Sequence, residues 1–206
     1  MSTRQRHWEG VYREKATEDV SWYQSDAGPS LSLVDALGIE PGVGAGRSVV
    51  DIGAGASPFL AALGRRGFSD LTAVDLSATA LDALVAAAEG DGVAVARVTA
   101  DVTAWDPGRT FGLWHDRAVL HFLVDDDDRA AYLATLRGAV PDGAVIVATF
   151  APDGPEQCSG LPVRRYSADE LAGLLDGFDP VEARRQVHTT PWGAEQAFTW
   201  VAARRR

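Results

Sequence analysis

Four aspartates and one glycine turn carry the chemistry that can be read from this chain. The stretch Val49-Val50-Asp51-Ile52-Gly53-Ala54-Gly55-Ala56-Ser57 joins an apolar run to an acid and two closely spaced glycines. A glycine turn between a strand and a helix lets backbone amides come close to a ligand and aims the helix N-terminus at it. Asp51 narrows the choice of ligand: a carboxylate beside the loop repels pyrophosphate and favours an ammonium or a sulfonium. A nicotinamide site would want a third glycine, where Ala56, Ser57 and Pro58 stand instead.

Asp75 closes the next apolar run, in Ala73-Val74-Asp75-Leu76-Ser77, where a carboxylate can hold two ribose hydroxyls and Leu76 can lie against a base. Asp101-Val102 follows the third run, placed to accept a hydrogen bond from an adenine amino group. Asp116 lies in the fourth, followed by Arg117-Ala118-Val119-Leu120-His121-Phe122. Acids at four successive strand ends lie where ligands bind in parallel sheets. Beside them, Arg117 can orient an anionic substrate or pair with Asp116 or a neighbouring carboxylate, and His121 can serve as a base near neutral pH or be a hydrogen-bonded structural histidine. Upstream, Trp8, Tyr12 and Trp22 gather rings that suit either a lid over a sulfonium or packing against the sheet. Cys158 can touch substrate but is not expected to be a nucleophile. The four histidines show no paired metal-ligand spacing, so no metal is expected.

Positioning these residues requires alternating strands and helices. The periodicity predicts helices over 4–16, 30–37, 57–66, 78–88, 126–137 and 167–175, and strands over 47–51, 70–75, 93–99, 111–115, 144–150, 179–188 and 195–203. Glycine-rich 41–46 reads as a turn into the first strand, and 150–165 as a long irregular connection bordering the cleft. Six residues, Thr189 to Ala194, join the last two strands, too few for a parallel crossover, so that pair must be antiparallel. The rest implies right-handed crossovers in a doubly wound α/β sheet.

The sequence resembles the class I S-adenosylmethionine-dependent methyltransferases over about residues 30 to 203. Val49 to Gly55 is similar to that family's first motif, Asp75 to its ribose-binding acid, Asp101 to its adenine-side acid and Asp116 to its fourth-strand acid. Asp116-Arg117-Ala118 is also similar to the fourth motif of thiopurine-type, small-molecule methyltransferases. The resemblance implies a Rossmann-like seven-stranded sheet of order 3-2-1-4-5-7-6 with the last strand antiparallel. It also implies S-adenosyl-L-methionine as cofactor, on Asp51, Gly53, Ala54, Gly55, Ser57, Asp75, Leu76, Asp101, Val102 and Asp116 under Trp8, Tyr12 and Trp22. His121, Arg117 and Asp116 become the catalytic candidates. Ala56 departs from the family's more usual glycine, which matters only if that position needs a positive φ.

Composition bounds the rest. At 206 residues, 46% hydrophobic, the chain suits one methyltransferase domain over 1–206, with 1–40 as a helical lid segment and 41–203 as core. A net charge of −10 disfavours nucleic acid as partner, and no apolar run long enough for a membrane span occurs. One cysteine permits no internal disulfide, consistent with the cytoplasm. The expected function is methyl transfer to sulfur, nitrogen or oxygen of a small molecule, with oligomeric state undetermined. A protein-lysine methyltransferase, a nicotinamide-dependent oxidoreductase and a non-catalytic binding protein are the competing readings.

Overall fold

The computed structural model describes residues 1–42 and 47–206, and Val43 to Gly46, inside the expected turn, lie outside the described residues. The elements run α1 (Thr3–Glu14), α2 (Gly28–Ala36), β1 (Val49–Ile52), α3 (Phe59–Arg65), β2 (Leu71–Asp75), α4 (Ala78–Gly90), β3 (Ala96–Thr99) and β4 (Leu113–Arg117). After β4 come α5 (Asp126–Ala139), β5 (Ala144–Phe150), β6 (Gln157–Cys158), β7 (Leu161–Pro162), α6 (Ala168–Leu174), β8 (Phe178–Thr189) and β9 (Glu195–Arg205).

Seven strands form one sheet in the order β3-β2-β1-β4-β5-β9-β8. Because β6 and β7 form a separate small ribbon, this is the expected 3-2-1-4-5-7-6 order, and it is the Rossmann-like methyltransferase topology. β1, β2, β4 and β5 pair in parallel, with Ile52 beside both Val74 and Asp116. Every residue of β1, β2 and β5 is buried, as strands covered on both faces require. β9 runs antiparallel to β5, placing Phe198 beside Phe150, and antiparallel to β8, placing Gln196 beside His188.

One core layer packs Leu33, Leu37, Phe59, Leu60 and Leu63 on one face of the sheet. The opposite layer packs Trp114, Tyr132, Leu136, Leu171 and Phe178. These layers fix the sheet, so the C-terminal ends of β1 to β4 open at one edge. The connection 150–165 departs from expectation: it contains the two-residue strands β6 and β7, too short to leave a periodic trace in sequence.

α1 is tied to the sheet by one buried acid. Glu9 accepts hydrogen bonds from the Ser77 and Thr79 hydroxyls at 2.8 and 2.6 Å, which pull its carboxyl down to about 2 against the opposing effect of burial. Those hydroxyls sit at the start of α4, where a negative charge also meets the positive end of the helix dipole.

Candidate functional site

A cleft enclosing about 840 Å³ of empty space, open solvent included, runs along the C-terminal ends of the parallel strands. Asp75, Leu76, Asp101 and Val102 line one end, and Arg117, His121, Phe150, Cys158 and Phe198 line the other. Trp8, Tyr12 and Trp22 cover it from the N-terminal segment. A smaller cavity of about 500 Å³ lies between the glycine turn and that segment, lined by Asp51, Ala54 and Ser57. Gly53, Tyr12, Trp22 and Arg117 border both.

The glycine turn is shaped by what lies against it. Gly53 and Gly55 adopt φ of 61° and 53°, in the left-handed region. A Cβ on Gly53 would run into Val119, and one on Gly55 would run into the Tyr12 hydroxyl. Ala56 has no positive φ, so its departure from glycine is accommodated.

The acids end in different surroundings. Asp75 accepts from the Gly55 amide at 2.9 Å and the Ser77 amide at 2.8 Å, which locks the turn to the end of β2. Burial raises its carboxyl to about 6, against the lowering effect of those amides. Asp101 lies in the loop beyond β3, held by the Thr103 amide and hydroxyl, with Arg4 3.4 Å away. Asp51 Oδ1 lies 2.7 Å from His115 Nδ1, whose Nε2 meets the Ser30 hydroxyl at 2.8 Å, while Asp51 Oδ2 is sealed from solvent with no partner. With Asp51 ionised, Nδ1 donates to it and the Ser30 hydroxyl donates to Nε2. This Ser-His-Asp chain is no hydrolytic triad, because Ser30 is buried and touches neither cavity.

Asp116 departs from the expectation of a ligand-facing acid. It is fully buried and lines neither cavity. It accepts from the Val119 amide (2.8 Å), the Leu120 amide (3.1 Å) and the Tyr132 hydroxyl (2.7 Å). Burial nevertheless raises its carboxyl to about 6. It fixes the turn through Ala118, which holds a φ of 78° that costs a non-glycine residue on the order of 1–2 kcal/mol. Its effect on the cavity is therefore through the position of Arg117 to His121.

His121 also departs from expectation. Its Nδ1 accepts from the Phe150 amide at 3.3 Å, so the neutral ring carries its proton on Nε2, which is buried and unpartnered. Burial, and secondarily the Arg117 charge, push the ring down to about 3. A ring so held is a hydrogen-bond donor at neutral pH and has no free lone pair for proton abstraction.

Arg117 donates from Nη1 to the Trp22 carbonyl at 2.8 Å and lies over the Phe198 ring, 5.2 Å from its centre. It has no ion pair among the described residues, and its Nε and Nη2 are buried without partners. The expected alternative, a pair with Asp116, does not occur. Burial brings the guanidinium down to about 10, well above neutrality, so it stays charged. Burial also pushes the Cys158 thiol up, which keeps it protonated and a poor nucleophile.

The cover is a connected unit. Trp22 Nε1 donates to the Tyr12 hydroxyl at 3.1 Å, and the Trp8 ring meets Trp22 and Phe122 edge-on. His188 Nε2 donates to the Ser21 carbonyl at 2.7 Å, so two successive carbonyls of the segment are held from the sheet. Glu9, Ser30, His115 and His188 had no legible hydrogen-bond partner, since each finds its partner 64 to 167 residues away.

Comparison with known proteins agrees with this geometry. A family model described as a methyltransferase domain matches residues 49–143, from β1 through α5 to the start of β5. Over these residues the chain matches a methyltransferase domain, and its sheet order is that of the class I S-adenosylmethionine-dependent methyltransferases. It is 26% identical to the structure of Burkholderia thailandensis 1,6-didemethyltoxoflavin-N1-methyltransferase, covering 95% of this chain and 80% of that one, with a TM-score of 0.68. That enzyme was crystallised with 1,6-didemethyltoxoflavin and S-adenosylhomocysteine. At 14% identity the N-methyltransferase NodS of Bradyrhizobium japonicum shares the fold, with a TM-score of 0.70 over 97% of this chain and 98% of that one. A methyltransferase from Anabaena variabilis does so at 13% identity, with a TM-score of 0.75 over 100% and 96%. No curated protein matches the sequence.

The methyltransferase has groups that fit the family's cofactor. The unpartnered Asp51 Oδ2 at the smaller cavity suits an ammonium, Asp75 and Asp101 suit hydroxyl and amino donors, and Ile52, Val74, Leu76 and Val102 form an apolar slot between them.

Proposed function

We propose that this methyltransferase transfers a methyl group to a sulfur, nitrogen or oxygen atom of a small molecule held between Arg117, His121, Phe150 and Phe198. The observation that carries the reading is the covered cavity, in which a carboxylate-lined end runs into a separate, ring-walled end. Bound S-adenosylmethionine supplies an activated methyl on a sulfonium, already a good leaving group. Asp75 would accept from the ribose hydroxyls, Asp101 from the adenine amino group and Asp51 from the methionyl ammonium. Ser57 contributes through its hydroxyl, which accepts from the Phe59 amide and sets the start of α3.

Alignment and exclusion of water are then the main tasks of the chain. Residues 1–40 act as the lid of a single methyltransferase domain, pinned by Glu9, Arg117 and His188 and closed by Trp8, Tyr12 and Trp22. The covered cavity favours a small acceptor over an extended protein chain. Asp116 acts as a positioning residue, and His121 as a donor to the acceptor molecule rather than a base.

A screen of thiols, amines, phenols and small acids that reads released S-adenosylhomocysteine tests this. Turnover of at least one small acceptor is expected. Turnover of peptides alone would contradict the small-molecule reading.

A further inference from the structure

At the acceptor end of the large cavity, unpartnered hydrogen-bond donors outnumber the one unpartnered acceptor described there, Gln196 Oε1. Arg117 is a guanidinium with two buried nitrogens unpartnered, and His121, whose proton-bearing Nε2 is also unpartnered, lines the same cavity. The two are linked by a continuous run of rings: His121 to Phe150 at 4.6 Å, Phe150 to Phe198 at 4.9 Å, and Phe198 to the Arg117 guanidinium at 5.2 Å. Asp51 acts on Arg117 through space but stands outside ion-pair distance. An unpaired buried guanidinium is costly unless a ligand supplies the counter-charge.

The surrounding surface sets the rest of the ligand. Phe150, Phe198, Phe122 and Trp22 border the same end, and the described carboxylates of this cavity, Asp75 and Asp101, stand at the other end. We infer that the methyl acceptor is a small ring-bearing acid, its carboxylate held by Arg117 Nε and Nη2 with His121 Nε2–H, and its ring against Phe150 and Phe198. A planar guanidinium pairs with a carboxylate through two parallel hydrogen bonds, a geometry an ester or an amide cannot satisfy. This inference rests on the methyl-transfer reading for the identity of the occupant, and on Arg117 for its charge.

Titration of the S-adenosylhomocysteine-saturated protein with benzoate and with benzamide, probes alike in shape and different in charge, tests it. Benzoate is expected to bind at least about tenfold more tightly than benzamide, a gap near 1.4 kcal/mol. In Arg117→Met the ratio should fall to about one, and Arg117→Lys should retain part of it. Equal affinities, or no benzoate binding, in the wild-type protein overturn the inference whatever the variants do. If Arg117→Met instead weakens S-adenosylhomocysteine more than tenfold and leaves the benzoate preference intact, the guanidinium serves the cofactor's own carboxylate, and the inference also fails. Absence of S-adenosylhomocysteine binding would overturn the methyl-transfer reading separately, since the benzoate-to-benzamide ratio can still be read on the free protein.

Discussion

The two ends of the large cavity differ in charge and in how fully their polar groups are occupied. At the Asp75 end, carboxylates are already held by backbone amides and hydroxyls, so their orientation is set before any ligand arrives. At the Arg117 end, donors outnumber partners, and buried nitrogens wait for an acceptor. Under the proposed function, that difference assigns each end its specificity: the first from a pre-arranged acidic frame matched to hydroxyl and amino donors, the second from an unfilled cationic corner.

The comparison breaks most sharply at Asp75. Asp75→Ala removes the acceptor for two expected ribose hydroxyls and frees the Gly55 amide. Hydrogen bonds to a charged group are worth roughly 1.5–3 kcal/mol each, so S-adenosylhomocysteine affinity should fall by about 100-fold or more by calorimetry. Retained affinity would place the nucleoside elsewhere.

Asp116 should separate positioning from binding. Asp116→Ala strands one buried and one part-buried amide and the Tyr132 hydroxyl, at a cost of about 3 kcal/mol, lowering Tm by roughly 6–12 °C. A variant of wild-type Tm that had lost only cofactor affinity would return Asp116 to the ligand-facing role expected from sequence.

Gly55→Ala should disturb the cover. Its positive φ and the Tyr12 hydroxyl above it leave no room for a Cβ. We expect roughly tenfold weaker S-adenosylhomocysteine binding and altered tryptophan fluorescence from Trp22; an unchanged protein would show that Tyr12 moves freely.

The ends should also differ with pH. Burial raises Asp75 and Asp116 to about 6 from their ordinary 3.8. The folded protein thus holds these protons more tightly than the unfolded chain. Their contribution favours folding fully below pH 3.8 and is lost as pH rises through 6. Glu9, drawn down to about 2, acts oppositely: its stabilisation is present above pH 4.5 and lost toward 2. On these three groups the Tm of the free protein should therefore rise modestly from pH 7 to about 4 and fall below about 3.8. Cofactor binding should weaken as pH drops through 6, because Asp75 must be ionised to accept two hydroxyl donors. At the other end, turnover should show no histidine limb between pH 6 and 8, and His121→Gln, which keeps a donor, should lose less than His121→Ala.

Much of the frame was legible because it rests on local signals. Apolar runs in β1, β2 and β5 mark strands buried on both faces, and the short Thr189 to Ala194 link forces β9 to run against β8. Asp75 and Asp101 follow from their places at strand ends. What escaped depends on direction or distance. Asp116 shares its strand with Arg117, yet successive side chains point to opposite faces, and Asp116 turns to Tyr132 in the core while Arg117 turns to the cavity. Glu9 looks like an ordinary solvated helical acid until α4 brings Ser77 and Thr79 to it. The donor character of His121 depends on the Phe150 amide, a partner that spacing along the chain does not reveal.

Calorimetric titration of the wild-type protein with S-adenosylhomocysteine, beside reduced nicotinamide cofactors, tests the central claim most directly. One molecule of S-adenosylhomocysteine per chain should bind, with no nicotinamide binding and with affinity lost in Asp75→Ala. Binding of the nicotinamide cofactor alone, or S-adenosylhomocysteine binding indifferent to Asp75, would contradict the account.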